Sequence, residues 1–385
     1  MKSIMNGKVF YKGKFHEDLV IVYETFVKEV FSVSDYEDYK LSNKIIEETD
    51  AKGSYVLPGF IDVHIHGYKG IDTMEGNPER LEEMAELIGE NGVTAFLPTT
   101  MTMSMGAIRH ALDSIRVVKQ KTDVKGAIIL GAHLEGPFIN ERFKGAQSAA
   151  FIHLPDEALI KQYLDIIKII TLAPEVEGAM EIISNYKDQI NFSLGHTGAT
   201  YEQAKKAYEI GANGTTHLFN AMTGIHHRAP GVVGAALNGG CYSEVIADNI
   251  HLNPGLYKMI ARTKGLDKLL LITDCMQAGG LDEGIYTLGG QEVIVKNGQC
   301  RLASGTLAGS VLKLNKGLEN FTAAIEEELA ETIPMVTINQ AKYLGVENRM
   351  GTLDQNKEAN IVLMNEAFFI ETTIVKGKKI YENRL

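Results

Sequence analysis

Pro58-Gly59-Phe60-Ile61-Asp62-Val63-His64-Ile65-His66-Gly67 reads as an apolar strand that ends in two histidines one residue apart, with glycines on both flanks. Strand side chains alternate faces, so His64 and His66 point the same way. Neutral imidazole is the commonest protein metal ligand, and at the mouth of a barrel that shared direction is toward one metal ion. Two partly buried histidines in an ordinary strand would give the same local pattern. The rest of the chain separates the two readings.

Outward from that stretch, apolar strands alternate with helical segments, which argues for a parallel α/β architecture. The expected strands are 59–64, 93–98, 127–134, 167–172, 190–195, 214–218, 244–247 and 269–273. Residues 81–91 and 107–119 carry apolar spacing near 3.6, and 201–210 opens after Thr200, a good N-cap. Eight such units match a (β/α)8 TIM barrel of about 250 residues plus insertions. An open, doubly wound sheet is the other arrangement of the same elements, but no Gly-x-Gly-x-x-Gly fingerprint follows a first strand to favour it.

The two ends of the chain differ from this body. Residues 8–11, 19–23 and 55–57 are short β-type runs around a polar, acidic stretch at 34–50, read as loop. Residues 359–364 and 370–381 have the same strand character, with a turn signal at Lys376-Gly377-Lys378. The expectation is a small β-sandwich domain built from 1–56 and 350–385, flanking a metal-dependent (β/α)8 barrel over 57–349. Within the latter, 280–303 reads as β-hairpins inserted after the eighth strand, followed by helices at 310–328 and 334–344.

Composition narrows the partners. Hydrophobic residues make up 45% of the 385 positions and charged ones 23%, ample for a large core. A formal charge of −11 argues against nucleic acid, which needs a basic surface. No segment is apolar enough to span a membrane, and no signal-peptide core follows Met1. The cysteines Cys241, Cys275 and Cys300 are scattered and odd in number, which fits reduced thiols and a cytoplasmic location.

A barrel builds its active site from the C-terminal ends of its strands. Those ends read His64 and His66; His133-Leu134-Glu135; Gly195-His196; Thr216-His217; and Thr273-Asp274. Such a set suits metal-assisted hydrolysis, because a bound divalent ion acidifies water and polarises a carbonyl. Glu135, His196 and His217 supply three ligands and leave a position open. His64 and His66 can add a second ion bridged by Glu135, leaving Asp274 as general base and later general acid. His133 reads as a partner behind the ligands only. Beyond His217, the loop with Asn220 and His226-His227-Arg228 concentrates positive charge in an acidic chain, suited to phosphate or carboxylate. Residues 304–310, Ser-Gly-Thr-Leu-Ala-Gly-Ser, are read as opening a helix whose backbone N–H groups can hold polar substrate groups.

Together, the 58–67 stretch, His133-Leu-Glu135-Gly-Pro137, Gly195-His196-Thr197, Thr216 to Met222, His226-His227-Arg228, Ile272-Thr273-Asp274 and 304–310 resemble the amidohydrolase superfamily, within it the deacetylases of phosphorylated amino sugars. The resemblance covers nearly the whole chain in order. It implies cleavage of a linear amide, the N-acetyl group of N-acetyl-D-glucosamine 6-phosphate, to give D-glucosamine 6-phosphate and acetate in amino-sugar catabolism and cell-wall recycling. It implies metal ligands at Glu135, His196 and His217 and a catalytic acid/base at Asp274. It carries substrate contacts to Ala146, Asn220, Ala221, Arg228, His251, Leu307, Ala308 and Gly309. It also implies a homodimer in which Arg228 reaches the neighbouring active site. Because His64 and His66 are present, one or two divalent ions per subunit are implied, and imidazole–carboxylate sites accept Zn, Fe, Mn or Co. Gln147 departs from the pattern, standing where histidine is common. A cyclic-amide hydrolase and a non-catalytic scaffold stay open as alternatives. The charged loop speaks against the first, and the complete ligand set against the second.

Overall fold

The computed structural model describes residues 1–123 and 125–383, so the last two positions of the 350–385 segment lie outside the described residues. The central strands are β1 (Phe60–Ile65), β2 (Val93–Pro98), β3 (Ile128–Ile129), β4 (Ala132–Glu135), β5 (Ile167–Leu172), β6 (Asn191–Leu194), β7 (Gly214–Thr215), β8 (Tyr242–Ile246) and β9 (Leu269–Ile272). β3, β2 and β1 form one parallel sheet, and β4 to β9 form a second in chain order. The single strand expected at 127–134 is therefore two. Gly131 divides it, because a Cβ there would lie 2.3 Å from the Ile166 carbonyl oxygen. At that crossing the ladder changes partner, from β2 before Gly131 to β5 after it.

Hydrogen bonds cross both seams between the two sheets. On one side Leu130 N donates to Phe96 O at 3.1 Å and Thr100 N to His133 O at 3.0 Å. On the other, Asp274 N donates to His64 O at 2.9 Å and His66 N to Cys275 O at 2.8 Å. Asp62, fully buried on β1, ties the second seam by accepting from Thr273 Oγ1 at 2.6 Å. Burial lifts its carboxyl to about 7, against the hydrogen bonds that favour the charged form.

Helices cover the sheets as the apolar spacing requires. The helix Met105–Lys119 buries Ile108, Ala111, Leu112 and Ile115, three and four residues apart. Full burial of each larger aliphatic chain contributes about 1.5–3 kcal/mol. Tyr201–Ile210 begins where expected, with Thr200 and Gln203 forming a reciprocal capping box.

Strands from the two chain ends share sheets. Lys378–Glu382, Ile370–Val375, Ile361–Met364, Tyr55–Pro58, Lys8–Tyr11 and Lys14–His16 make a six-stranded sheet. Val27–Ser32, Leu19–Tyr23, Lys2–Met5 and Glu47–Asp50 make a four-stranded one. Ile4 and Ile21 of the second lie in one apolar cluster with Val9, Val56, Ile361 and Ile374 of the first. The acidic stretch read as loop at 34–50 is instead mostly ordered, with a helix at Val33–Ser42. Ser32 caps it by accepting from Asp35 N, and its one buried residue, Tyr36, packs on Val20 and Val22. A single inward tyrosine is too little periodicity to announce a helix in sequence.

The insertion at 280–303 is a three-stranded antiparallel sheet of Gly284–Leu288, Gln291–Lys296 and Gln299–Leu302. Residues 304–310 do not open a helix, which begins only at Leu314; they return from the insertion as a turn and loop. Among the described residues no helix is long and apolar enough to cross a membrane, and the three cysteines are buried free thiols.

Candidate metal centre and cavity

Glu135 ends β4, and His196 and His217 lie just beyond β6 and β7. Glu135 Oε1 is 3.0 Å from His196 Nε2 and 3.2 Å from His217 Nε2, and the two Nε2 atoms are 3.2 Å apart. Donors around a tetrahedral ion at metal–nitrogen distances of about 2.0–2.1 Å sit about 3.3 Å from one another, so this triangle fits such an ion. The far ring nitrogens support the same orientation. His196 Nδ1 is 3.1 Å from Phe143 O and His217 Nδ1 is 3.1 Å from Asn220 O, contacts that hold the proton on Nδ1 and free Nε2 as ligand.

The backbone enforces this convergence. His196, His217 and Asp274 all have left-handed φ, at 47°, 30° and 48°, as do Phe219 and Ala221 nearby. Non-glycine residues seldom adopt that conformation, and where they do it clusters at functional sites. The strands stop short of their expected ends for this reason: β6 at Leu194, β7 at Thr215 and β9 at Ile272.

His64 and His66 also approach Glu135. His66 Nε2 is 3.3 Å from Glu135 Oε2 and 3.1 Å from Asp274 Oδ1. His64 Nε2 is buried without a hydrogen-bond partner, 3.5 Å from Glu135 Oε1 and 3.4 Å from Asp274 Oδ1. An orphaned, buried ring nitrogen aimed between two carboxylates is a donor waiting for a cation, so this pair also fits an ion. His64, His66 and Asp274 form one group able to hold a metal, and Glu135, His196 and His217 another.

Burial by itself raises Asp274 and Glu135. The facing imidazoles outweigh it, holding Asp274 at about 2 and Glu135 well below the carboxylate range. Burial conversely lowers His64 and His66, but the surrounding carboxylates lift His64 to about 9 and His66 well above its usual range. Protons and a cation compete for the same nitrogen lone pairs.

Two carboxyl and imidazole groups behind these ligands complete the floor. Glu244, on β8, takes His64 Nδ1 at 2.9 Å on Oε2 and accepts from His217 N at 3.2 Å with the same oxygen. Sequence reading missed it, although a glutamate inside the apolar strand Tyr242–Ile246 is itself a signal, since unpaired carboxylates are rarely buried. His133 stands behind His64, its rings 4.5 Å apart, and joins a chain of buried hydroxyls: Nε2 to Thr171 Oγ1 at 2.7 Å, on to Thr216 Oγ1 at 2.7 Å and Ser193 Oγ at 2.6 Å.

A cavity of about 360 Å³ opens above the centre. Of the residues expected from sequence, it is lined by Glu135, His196, His217, His66 and Asp274, and by Ala146, Asn220, Ala221, His251, Leu307 and Gly309. Three do not line it. His64 lies beneath, fully buried. Ala308 packs into the apolar cluster under the insertion, with Met101, Met276 and Cys300. Arg228 is exposed, its Nη1 on His227 Nε2 at 2.6 Å. His251 Nδ1 pairs with Asp248 Oδ2 at 2.7 Å; burial works against its charged form, but this carboxylate prevails and raises it. Gln147 Nε2 donates to Glu135 Oε2 at 2.7 Å while Oε1 accepts from Thr102 N at 2.7 Å, so the amide fixes the glutamate's second oxygen. Arg301, from the insertion, also lines the cavity and was not singled out in sequence.

The model of the amidohydrolase family matches residues 55–380, and the chain belongs to that family. More narrowly, it is similar to N-acetylglucosamine-6-phosphate deacetylases. The enzyme of that name from Bacillus subtilis (strain 168) is 41% identical over 332 residues, covering 84% of each chain. The crystal structure of the Pasteurella multocida deacetylase matches with a TM-score of 0.92 at 29% identity, over 99% of this chain and 100% of that one. A mutant of the Mycobacterium smegmatis deacetylase, solved in complex with N-acetyl-D-glucosamine-6-phosphate, matches at 0.89 and 25%, over 98% and 99% of the two chains.

Proposed function

We propose that this chain hydrolyses the N-acetyl group of N-acetyl-D-glucosamine 6-phosphate to D-glucosamine 6-phosphate and acetate, in the cytoplasm, serving amino-sugar catabolism and cell-wall recycling. The observation that carries the reading is the convergence of Glu135, His196 and His217 on one point, with Asp274 across the same cavity, in a chain 41% identical to a deacetylase of that name. The frame inferred for it is a closed (β/α)8 barrel over 57–349, supported by the bonds across both seams. A small β-sandwich from 1–56 and 350–385 flanks it, supported by the cluster that the two end sheets share.

A divalent ion (Zn, Fe, Mn or Co) held by Glu135, His196 and His217 would supply Lewis acidity for water and the acetyl carbonyl. A second would sit with His64 and His66, shared through Glu135. Asp274, whose carboxyl the facing imidazoles lower against the effect of burial, accepts the proton of the attacking water. It then returns that proton to the amide nitrogen, which leaves poorly unless protonated. Ala146, Asn220, Ala221, His251 and the 307–309 loop line or support the cavity where the sugar would lie. The test is product analysis with purified, metal-loaded protein. Acetate release from the phosphorylated sugar supports the reading, and ammonia release from cyclic amides or bases in its place would sink it.

Glu244 holds the imidazole of His64 and the backbone of His217 with one oxygen. Glu244→Gln should therefore weaken the second ion by about 10–100-fold, as removal of a ligand's outer partner typically does. Elemental analysis during dialysis against a graded chelator reads this directly, and an unchanged metal profile would leave Glu244 a packing residue only.

Arg228 is exposed and lines no part of its own chain's cavity. That supports the homodimer in which it reaches the neighbouring site and its phosphate. Arg228→Ala should damage turnover of the phosphorylated sugar far more than of the unphosphorylated one. Equal losses on both would remove the phosphate role.

A further inference from the structure

Among the described residues that wall the cavity, Arg301 is the one lysine or arginine. It stands on Gln299–Leu302, the last strand of the inserted sheet, and bridges Leu307 across the returning loop. Its Nε donates to Gln299 Oε1 at 2.8 Å and its Nη1 to the Gly305 carbonyl at 2.6 Å. Those bonds fix the guanidinium plane and leave the Nη2 donors uncommitted among the described residues. His251, paired with Asp248 and oriented by it, faces the same cavity. A guanidinium with a fixed plane is well suited to a phosphate's oxygen edge.

We infer that Arg301 is a specificity-determining residue that binds the anionic 6-phosphate end of the sugar from within the same chain, in the cavity that Asn220 and His251 also line. This rests on the phosphorylated-sugar reading above, and it adds an anchor that does not depend on a neighbouring subunit. Because the residue sits on the insertion, which already supplies Leu288 to the cavity wall, that inserted sheet becomes part of substrate recognition. The guanidinium touches substrate rather than the reacting amide, so its loss should fall on binding and leave the chemical step of bound sugar intact.

The experiment uses metal-loaded, full-length protein with Arg301→Ala and Arg301→Gln, the second keeping a donor within reach of Gly305 while removing the charge. Calorimetry with D-glucose 6-phosphate and D-glucose reads the anion end without the acetyl chemistry. Steady-state kinetics with N-acetylglucosamine, with and without the 6-phosphate, reads the reaction. Losing a charge-assisted hydrogen bond should weaken D-glucose 6-phosphate by about 10–100-fold in both variants. KM for the phosphorylated substrate should rise similarly, while kcat and the unphosphorylated sugar stay as in the parent protein. Unchanged sugar-phosphate binding in both variants, or equal losses on the two sugars, would overturn the inference. If the parent protein releases acetate from neither sugar, the deacetylase reading fails, and the calorimetric comparison still decides Arg301.

Discussion

Asp274→Asn is expected to lower kcat by about 10²–10⁴-fold or more, the usual cost of removing a general acid–base. The substitution is chosen because the fold tolerates it. Asp274 has φ 48°, and asparagine is among the few residues that enter that region readily. The amide has the carboxylate's shape and its oxygen can lie where Oδ1 now sits, 3.1 Å from His66 Nε2, so the side chain should stay in place. What it loses is the capacity to take and return a proton. The pH profile carries the sign. With the facing imidazoles lowering the carboxyl against the effect of burial, the parent protein should lose its base only on the acid side of neutrality. In the variant that acid limb disappears while substrate binding persists. Near-parental turnover, with metal content unchanged, would remove Asp274 from the mechanism.

The second large effect is expected from Glu135→Gln. Glu135 meets all four imidazoles of the centre, with His196, His217 and His64 on Oε1 and His66 on Oε2. Gln147 donates to the second oxygen as well. Neutralising this carboxylate removes the negative charge shared by both ion positions and places an amide N–H where a lone pair was needed. Outer partners of metal ligands already cost about 10–100-fold in affinity, so a direct, shared ligand should cost more. The metal-to-chain ratio should fall below that of the parent after ordinary purification, and excess metal should restore little activity. A full complement of metal together with normal turnover would show that Glu135 is a structural acid.

Much of the frame was legible because burial writes periodicity into a chain. Helix 201–210 announced itself through Thr200, an N-cap, and the structure adds Gln203 as its reciprocal partner. The donors could be gathered because barrels place chemistry at strand ends, and His196, His217 and Asp274 each stand at the end of an expected strand. What sequence could not carry were facts of space. The third strand breaks at Gly131 because the chain at Ile166 passes too close for a side chain. Arg301 and Glu244 belong to the site through contacts made across long separations, and neither sits in a motif. The 304–310 stretch looks like a helix opening because its small and hydroxyl residues suit an N-cap as well as a tight return. Ala308 was carried into the substrate set with its neighbours, yet it turns to the apolar cluster while Leu307 and Gly309 line the cavity.

The left-handed backbone at His196, His217 and Asp274 has a further meaning. Each such residue costs on the order of 1–3 kcal/mol, and glycine would occupy the same positions without that penalty. The chain therefore forgoes stability at the three points where its chemistry is proposed to reside. A search for hardier variants would be drawn to these positions first, and each gain in melting temperature there would be bought with a lost ligand or proton carrier. Selection for endurance and selection for turnover pull in opposite directions at this rim. Improvements in robustness should instead be sought in the end sheets and the helical cover.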